Sequence, residues 1–160
     1  MRMREGMKMY ITDYLERFKD KKIRLFVDMD GVVADFDVGK PYDYDKKRPL
    51  LTNIEVLREI AKRDNIEMYI LTITSLTVGR EEKNRWLDQY MEFIKKEKRF
   101  IISREENNKI SSRVLKNRFL KKVKRDDSVI IMIDDDPSIL GKIRQSNPDI
   151  YLLKDTALVK

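Results

Sequence analysis

The chain of 160 residues contains no cysteine and no histidine. Without thiolate or imidazole, disulfides, thiol nucleophiles, Ser-His-Asp triads and nearly every familiar zinc site are excluded. The chemistry left open uses carboxylates, hydroxyls, lysines and hard metal ions. Long apolar runs are missing as well: no stretch approaches the roughly 18 residues that a membrane span needs. Met1 to Lys22 is too charged to hold the apolar region of a signal peptide. A soluble, cytoplasmic protein with no membrane partner is the expectation. There is no Gly/Ser linker, internal repeat or low-complexity tract, so 41% hydrophobic content over this length predicts one compact domain. Acids are outnumbered, 28 against 35 lysines and arginines, and the net charge of +7 favours encounter with nucleotides or nucleic acid. A well-solvated surface in a chain that is 39% charged would account for the same balance.

Among what is present, five short apolar runs stand out: Ile23 to Val27, Met68 to Leu71, Phe100 to Ile102, Val129 to Ile133 and Ile150 to Leu153. Their length and continuity suit strands buried on both faces. Segments with helical spacing separate them. Ile54, Leu57, Ile60 and Ala61 form a stripe behind Thr52 and Glu55, which stand at capping-box spacing. Trp86, Leu87, Tyr90, Met91 and Ile94 form a second stripe, and Leu115, Phe119, Leu120 and Val123 a third. Asp136-Pro137 opens a fourth helix with Ile139, Leu140 and Ile143 inward. The alternation predicts an α/β fold with a central parallel sheet of about five strands and helices on both faces. Met7, Tyr10, Ile11, Tyr14, Leu15 and Phe18 predict an extra helix docked on the core within residues 1–21, leaving 22–160 as the main domain. The clearest breaks, Gly31, Val38-Gly39-Lys40-Pro41 and Asn147-Pro148, fall between predicted elements.

In a sheet of this kind, ligands bind in the crevice outside the carboxyl ends of the strands. Acids collect at two of those ends, Asp28 and Asp30 after the first strand, and Asp134, Asp135 and Asp136 after the fourth. Such a cluster repels itself unless a cation sits within it. Magnesium, which takes oxygen ligands octahedrally, suits one or two carboxylates together with phosphate and water. The plainer role for strand-end acids is capping, and Asp136 before Pro137 is expected to serve that role.

With its strand-end position, Asp28-Met29-Asp30-Gly31-Val32-Val33 resembles the first motif of haloacid dehalogenase-like phosphatases. The resemblance runs from about Lys22 to Leu153 and implies a Rossmann-type three-layer sandwich with a minimal cap or none. It implies that Asp28 attacks phosphorus to form an aspartyl-phosphate, while Asp30 protonates the leaving oxygen and later activates water. Magnesium would be held by Asp28, by the backbone carbonyl of Asp30, and by Asp134 and Asp135, which match the fourth motif. Gly31 would let the chain turn close to the phosphate. Thr72 matches the second motif, where a hydroxyl donates to a phosphoryl oxygen. The third motif requires a phosphate-neutralising lysine, and two are available. Lys116 lies on the inward stripe of its helix with Leu120 and Val123, whereas Lys109 sits in the preceding loop; Lys116 is favoured.

Two branches of that family are similar to this chain. Phe26 to Phe36 and Glu82-Lys83-Asn84-Arg85-Trp86-Leu87 look like parts of cytosolic 5′(3′)-deoxyribonucleotidases, which insert a helical cap after the first motif. Only 41 residues separate Asp30 from Thr72, and the helix near Thr52 uses much of that interval. Lys40-Pro41-Tyr42-Asp43 and Arg113-Val114-Leu115-Lys116 are similar to the 3′-phosphatase domain of phage-type polynucleotide kinases, which has little or no cap. The expected substrate is therefore the phosphorylated end of a nucleic acid, ahead of a free mononucleotide. That branch carries an arginine shortly after its second motif, where Thr74 stands here. Arg80 and Lys40 are candidate replacement cations, and Thr74 and Lys109 further candidate substrate contacts. Two rivals lie outside the phosphatases: a receiver-like phosphorylatable module, and a non-catalytic nucleic-acid-binding domain, which leaves five clustered acids unexplained. The sequence carries no sign of an oligomeric state.

Overall fold

The computed structural model describes residues 9–36 and 43–160. Its centre is a parallel five-stranded sheet made of β1 (Ile23–Val27), β2 (Ile66–Thr74), β3 (Arg99–Ser103), β4 (Val129–Ile133) and β5 (Tyr151–Leu153). The spatial order is β3-β2-β1-β4-β5. Five helices accompany it: α1 (Ile11–Arg17), α2 (Leu51–Ala61), α3 (Val78–Tyr90), α4 (Ser112–Lys122) and α5 (Pro137–Ser146). All five strand expectations are met. The apolar runs have this form because a central parallel strand has no solvent side, so both of its faces must be apolar.

Alternate residues divide the core into two layers. Leu25, Val27, Ile70, Ile131 and Ile133 pack with Leu15 of α1, Leu57 of α2 and Trp86 of α3. Phe26, Leu71, Ile130 and Met132 pack with Leu120 of α4 and with Ile139 and Ile143 of α5. The result is the expected three-layer sandwich. α1 lies against the β5 edge, with the Tyr14 and Phe18 rings 5.5 Å and 5.1 Å from that of Tyr151. Met7, placed in this helix from the sequence, lies outside the described residues. No helix among the described residues is long and apolar enough to cross a membrane.

Two sequence expectations need correction. The capping box at Thr52 and Glu55 does not form, because the helix already starts at Leu51 and Leu50 is its N-cap. Its entry is set by the preceding loop instead: the Leu50 N–H donates to the Val33 carbonyl (2.8 Å) and the Asn53 amide to the Val32 carbonyl (2.8 Å). β2 also runs beyond Leu71, because β3 offers a ladder partner to each further residue, pairing Thr72 with Ile101 and Thr74 with Ser103. Thr72 is thus inside the strand and not at its end.

Between β1 and β2 the described residues hold only a short 3-10 turn (Tyr44–Lys46) and α2, so no cap domain is found among them. β1 is the first strand laid down, and the later strands add on either side of it. The topological switch point therefore lies between β1 and β4, where Asp28 and Asp134 follow neighbouring strands and the Asp28 N–H donates to the Ile133 carbonyl (3.0 Å). Leu25 is fully buried on β1. Leu25→Ala should lower unfolding stability by about 3 kcal/mol, measured by urea denaturation. A loss under about 1 kcal/mol would show that the site collapses around the smaller side chain.

Candidate active site

The loop that leaves β1 folds back on itself. The Met29 carbonyl accepts the N–H groups of Val32, Val33 and Ala34 (3.1, 2.9 and 3.0 Å), and the Gly31 N–H donates to the Ala34 carbonyl (2.8 Å). Gly31 adopts φ +78°, a left-handed conformation that favours glycine. A Cβ there would stand 1.9 Å from Asp135 Oδ2. Glycine is therefore required twice, for the turn and for the approach of the fourth-motif loop.

Asp28 and Asp134 are both buried, and the Lys116 ammonium lies between them, 2.9 Å from Asp28 Oδ1 and 2.6 Å from Asp134 Oδ2. Lys116 is 2% exposed. Asp134 Oδ1 accepts the Asp136 N–H (3.0 Å), and Asp136 caps α5 by accepting the Ser138 N–H (2.8 Å), as expected from its place before Pro137. Burial pushes the Asp28 carboxyl up to about 7, against the pull of Lys116. Burial likewise raises Asp134, and burial followed by the Asp28 charge raises Asp135. Burial would lower Lys116, but Asp28 and Asp134 hold it above its ordinary value. Carboxylate oxygens of Asp28, Asp134 and Asp135 lie within 4.8 Å of one another, a compact set of hard donors that a divalent cation could join.

The Asp30 carboxylate is outside that set. One oxygen accepts from Lys47 Nζ (3.1 Å) and the other from Lys83 Nζ (3.1 Å). Lys83 is 0% exposed and has two more acceptors, Thr72 Oγ1 at 2.7 Å and the Ile73 carbonyl at 2.8 Å. Both ammoniums also sit over the Tyr44 ring, 4.4 Å (Lys83) and 4.6 Å (Lys47) from its centroid. Burial would raise Asp30, but Lys83 and then Lys47 bring it below the usual carboxylate value. Burial lowers Lys83, with Asp30 opposing. Accepting from Lys83 leaves the Thr72 hydroxyl its own proton to donate.

Lys83 was not singled out from the sequence, although a signal was there. It precedes Trp86, Leu87 and Tyr90 at helical spacing on the inward stripe of α3, the same argument that selected Lys116. Lys47 offered no such signal. It lies in irregular chain, anchored where the Trp86 indole donates to its carbonyl (2.9 Å).

A hollow of about 320 Å³ opens over these groups, lined by Asp28, Asp30, Thr72, Lys116, Asp134 and Asp135, with Phe36, Ser112 and Pro137 among its other walls. The remaining expected residues lie elsewhere. Lys109 is exposed in a left-handed turn and does not line the hollow, so of the two candidate lysines only Lys116 is in place. Thr74 is buried, its hydroxyl donating to the Leu76 carbonyl (3.1 Å), and faces a separate small hollow with Tyr44 and Gly79. The Arg80 guanidinium donates to the Ile101 carbonyl (3.1 Å) and pairs with Glu106 (2.6 Å). Lys40 lies outside the described residues. Gly31 serves through backbone shape.

A family described as "Polynucleotide kinase PNKP phosphatase domain" matches residues 23–151. No curated protein matches the chain. Two of the solved structures that share the fold cover most of this chain. "Structure of Pnkp1/Rnl/Hen1 complex" has a TM-score of 0.65 at 15% identity and covers 96% of this chain and 51% of its own. "Structure of the Pnkp1/Rnl/Hen1 RNA repair complex" has a TM-score of 0.64 at 18% identity, covering 84% and 43%. The chain spans about half the length of these structural relatives.

Two outcomes follow from the geometry. Lys83→Met keeps the length and apolar stem of the side chain but removes all three hydrogen bonds. It should lower kcat for an alkyl phosphate by about 100-fold, in the range of lost acid-base assistance, with KM moved much less. Unchanged kcat would show that Lys47 alone suffices for Asp30. The second outcome concerns pH. Asp28, Asp134 and Asp135 have folded values above their unfolded ones, so stability from their protonated forms is present in acid and lost as pH rises, for Asp28 through about 7. Asp30, shifted the other way, matters only in stronger acid. The metal-free protein should therefore melt lower at pH 8 than at pH 5.5, and a divalent cation should raise Tm more at pH 8. Equal cation effects at both pH values would contradict this.

Proposed function

We propose, on the premise that this chain belongs to the polynucleotide kinase PNKP phosphatase domain family and is a phosphoric monoester hydrolase, that it removes the terminal 3′-phosphate of a nucleic acid. The observation that carries the chemistry is the Asp28 carboxylate lining the hollow with Lys116 and Thr72 beside it. A phosphoryl group entering there meets a nucleophile, an ammonium to balance its charge and a hydroxyl donor. Displacement by Asp28 Oδ breaks the ester P–O bond and leaves an aspartyl-phosphate, and attack by water then releases phosphate and restores Asp28.

Asp30 serves both halves. Its carboxylate is ionised in the resting site, ready to take a proton from the attacking water. The proton needed by the leaving alkoxide passes through Asp30 from Lys83, whose ammonium burial makes more acidic. The later proton from water restores Lys83, so the cycle closes.

Charge balance favours a metal. Four carboxylates (Asp28, Asp30, Asp134, Asp135) meet three ammoniums (Lys47, Lys83, Lys116), which leaves an excess of negative charge before a phosphate dianion arrives. The donors left without a lysine on every oxygen are hard, closely spaced carboxylates, which suit magnesium. Asp28, Asp134 and Asp135 would hold it, with the Asp30 carbonyl as a further donor, and its charge would offset the phosphate and keep Asp28 ionised.

The absence of a cap domain among the described residues supports a polymer end as substrate, because an enclosed site would exclude the rest of the strand. The volume of the hollow also suits a mononucleotide. Asp28→Asn should reduce phosphate release from a 3′-phosphorylated oligonucleotide in magnesium by at least about 1,000-fold, since an amide cannot attack phosphorus. Excess EDTA should abolish wild-type turnover. Near-normal activity of the variant would end the covalent mechanism, and a preference for mononucleotides over both 3′- and 5′-phosphorylated oligonucleotides would reverse the substrate assignment.

A further inference from the structure

We infer that the solvent face of α4 is the track along which the substrate strand leaves the hollow, held through its phosphates. This rests on the polynucleotide reading above. The helix begins at the rim, where Ser112 lines the hollow, and its 11 residues lead away over about 16 Å at 1.5 Å per residue. Its inward face is used up: Leu115 and Leu120 pack in the core, Lys116 holds the two aspartates, and Asn117 bonds to Asn147 and Ser146. Its outward face is cationic. Arg118, Lys121 and Lys122 are exposed at i, i+3 and i+4, with Arg113 in the first turn and Lys124 just beyond the last.

No acid occurs between Glu106 and Asp126. None of these five side chains makes an ion pair or hydrogen bond to the described residues. Elsewhere the pattern is different. α2 pairs Arg58 with Glu55 and Glu92, and Lys62 with Glu59; α3 pairs Arg80 with Glu106 and Arg85 with Asp45. α4 is thus a row of like charges that repel one another with nothing among the described residues paired to offset them, and a polyanion is the partner of complementary chemistry. The exposed positions of α4 carry no aromatic ring on which a base could stack, so the track should bind without regard to sequence and weaken steeply with salt.

The test compares wild type with Arg118→Glu/Lys121→Glu/Lys122→Glu and with a control of equal charge change, Lys19→Glu/Lys62→Glu/Lys96→Glu, whose cations already have acidic neighbours. Binding is read by fluorescence anisotropy of a labelled 12-nucleotide single strand ending in a 3′-hydroxyl, across a salt series. Turnover of p-nitrophenyl phosphate provides a reference for the hollow itself. The α4 variant should bind the strand at least tenfold more weakly, with the salt dependence of log K shallower by about 2, from roughly 0.7 per phosphate contact on a single strand. Its p-nitrophenyl phosphate turnover should match that of wild type, and the control should bind nearly as wild type does. Equal loss in the control would assign binding to net charge and overturn the track, as would wild-type affinity and salt slope in the α4 variant. If p-nitrophenyl phosphate turnover also falls, Arg118→Gln/Lys121→Gln/Lys122→Gln removes the charges without reversing them and gives the deciding comparison. Strand binding through α4 without phosphate release from any 3′-phosphorylated strand would instead count against the proposed reaction and leave the track standing.

Discussion

The Lys116 ammonium, buried between Asp28 and Asp134, is the interaction on which this site depends. Two carboxylates after adjacent strands of a parallel sheet would repel each other in a medium that screens poorly, and both are buried. An ammonium in hydrogen-bond reach of both makes the arrangement tolerable. It must arrive from outside the sheet, because the neighbouring strand residues are apolar and pack in the core. α4 supplies it from the sheet's second face. The site therefore requires β1, β4 and α4 to be in register, and a buried pair of this kind is costly to break from either side.

The carboxylates are sorted into two environments. Asp28 and Asp134 share one lysine and, like Asp135, are pushed upward by burial, whereas Asp30, two residues from Asp28, has two lysines and is pushed downward. That division separates a group that gains from a bound cation from one that stays ionised without it, as acid-base roles in one small site require. The two lysines on Asp30 come from α3 and from the irregular chain before α2, and Tyr44 lies against both. α3, a helix of the first face, thus contributes a side chain to the acidic site as well as to the core.

Gly31 and Asp135 show how tightly the two acidic loops are fitted. Asp135 Oδ2 occupies the space that any larger residue at position 31 would need. Around the hollow the departures from the expected pattern are concrete. No arginine follows Thr72 in the position where Thr74 stands, Thr74 turns to another hollow, and Arg80 is engaged with Glu106. The cations that line or border the hollow are lysines, Lys116 in it with Lys47 and Lys83 behind Asp30.

Every strand could be read from the sequence because a parallel sheet covered by helices on both faces leaves its strands largely apolar, a local property that a short window displays. Asp28, Asp30 and Asp134 were legible for a related reason: strand termini mark the crevice, and polar residues there interrupt an apolar run, as Thr72 does from within its strand. Lys116 could be chosen over Lys109 because a helix repeats every 3.6 residues, which puts it on the buried stripe, and Lys83 was open to the same argument. Thr52 misled because its capping partner is chosen by the preceding loop, which Val32 and Val33 hold through contacts distant in sequence. What only the tertiary structure decided is which lysine meets which aspartate. Lys47, 17 residues from Asp30, and Lys83, 53 residues from it, converge on one carboxylate because two separately packed segments end at the same point. Periodicity records which way a side chain faces along its own element, but a meeting between elements depends on how their packed faces are placed in three dimensions.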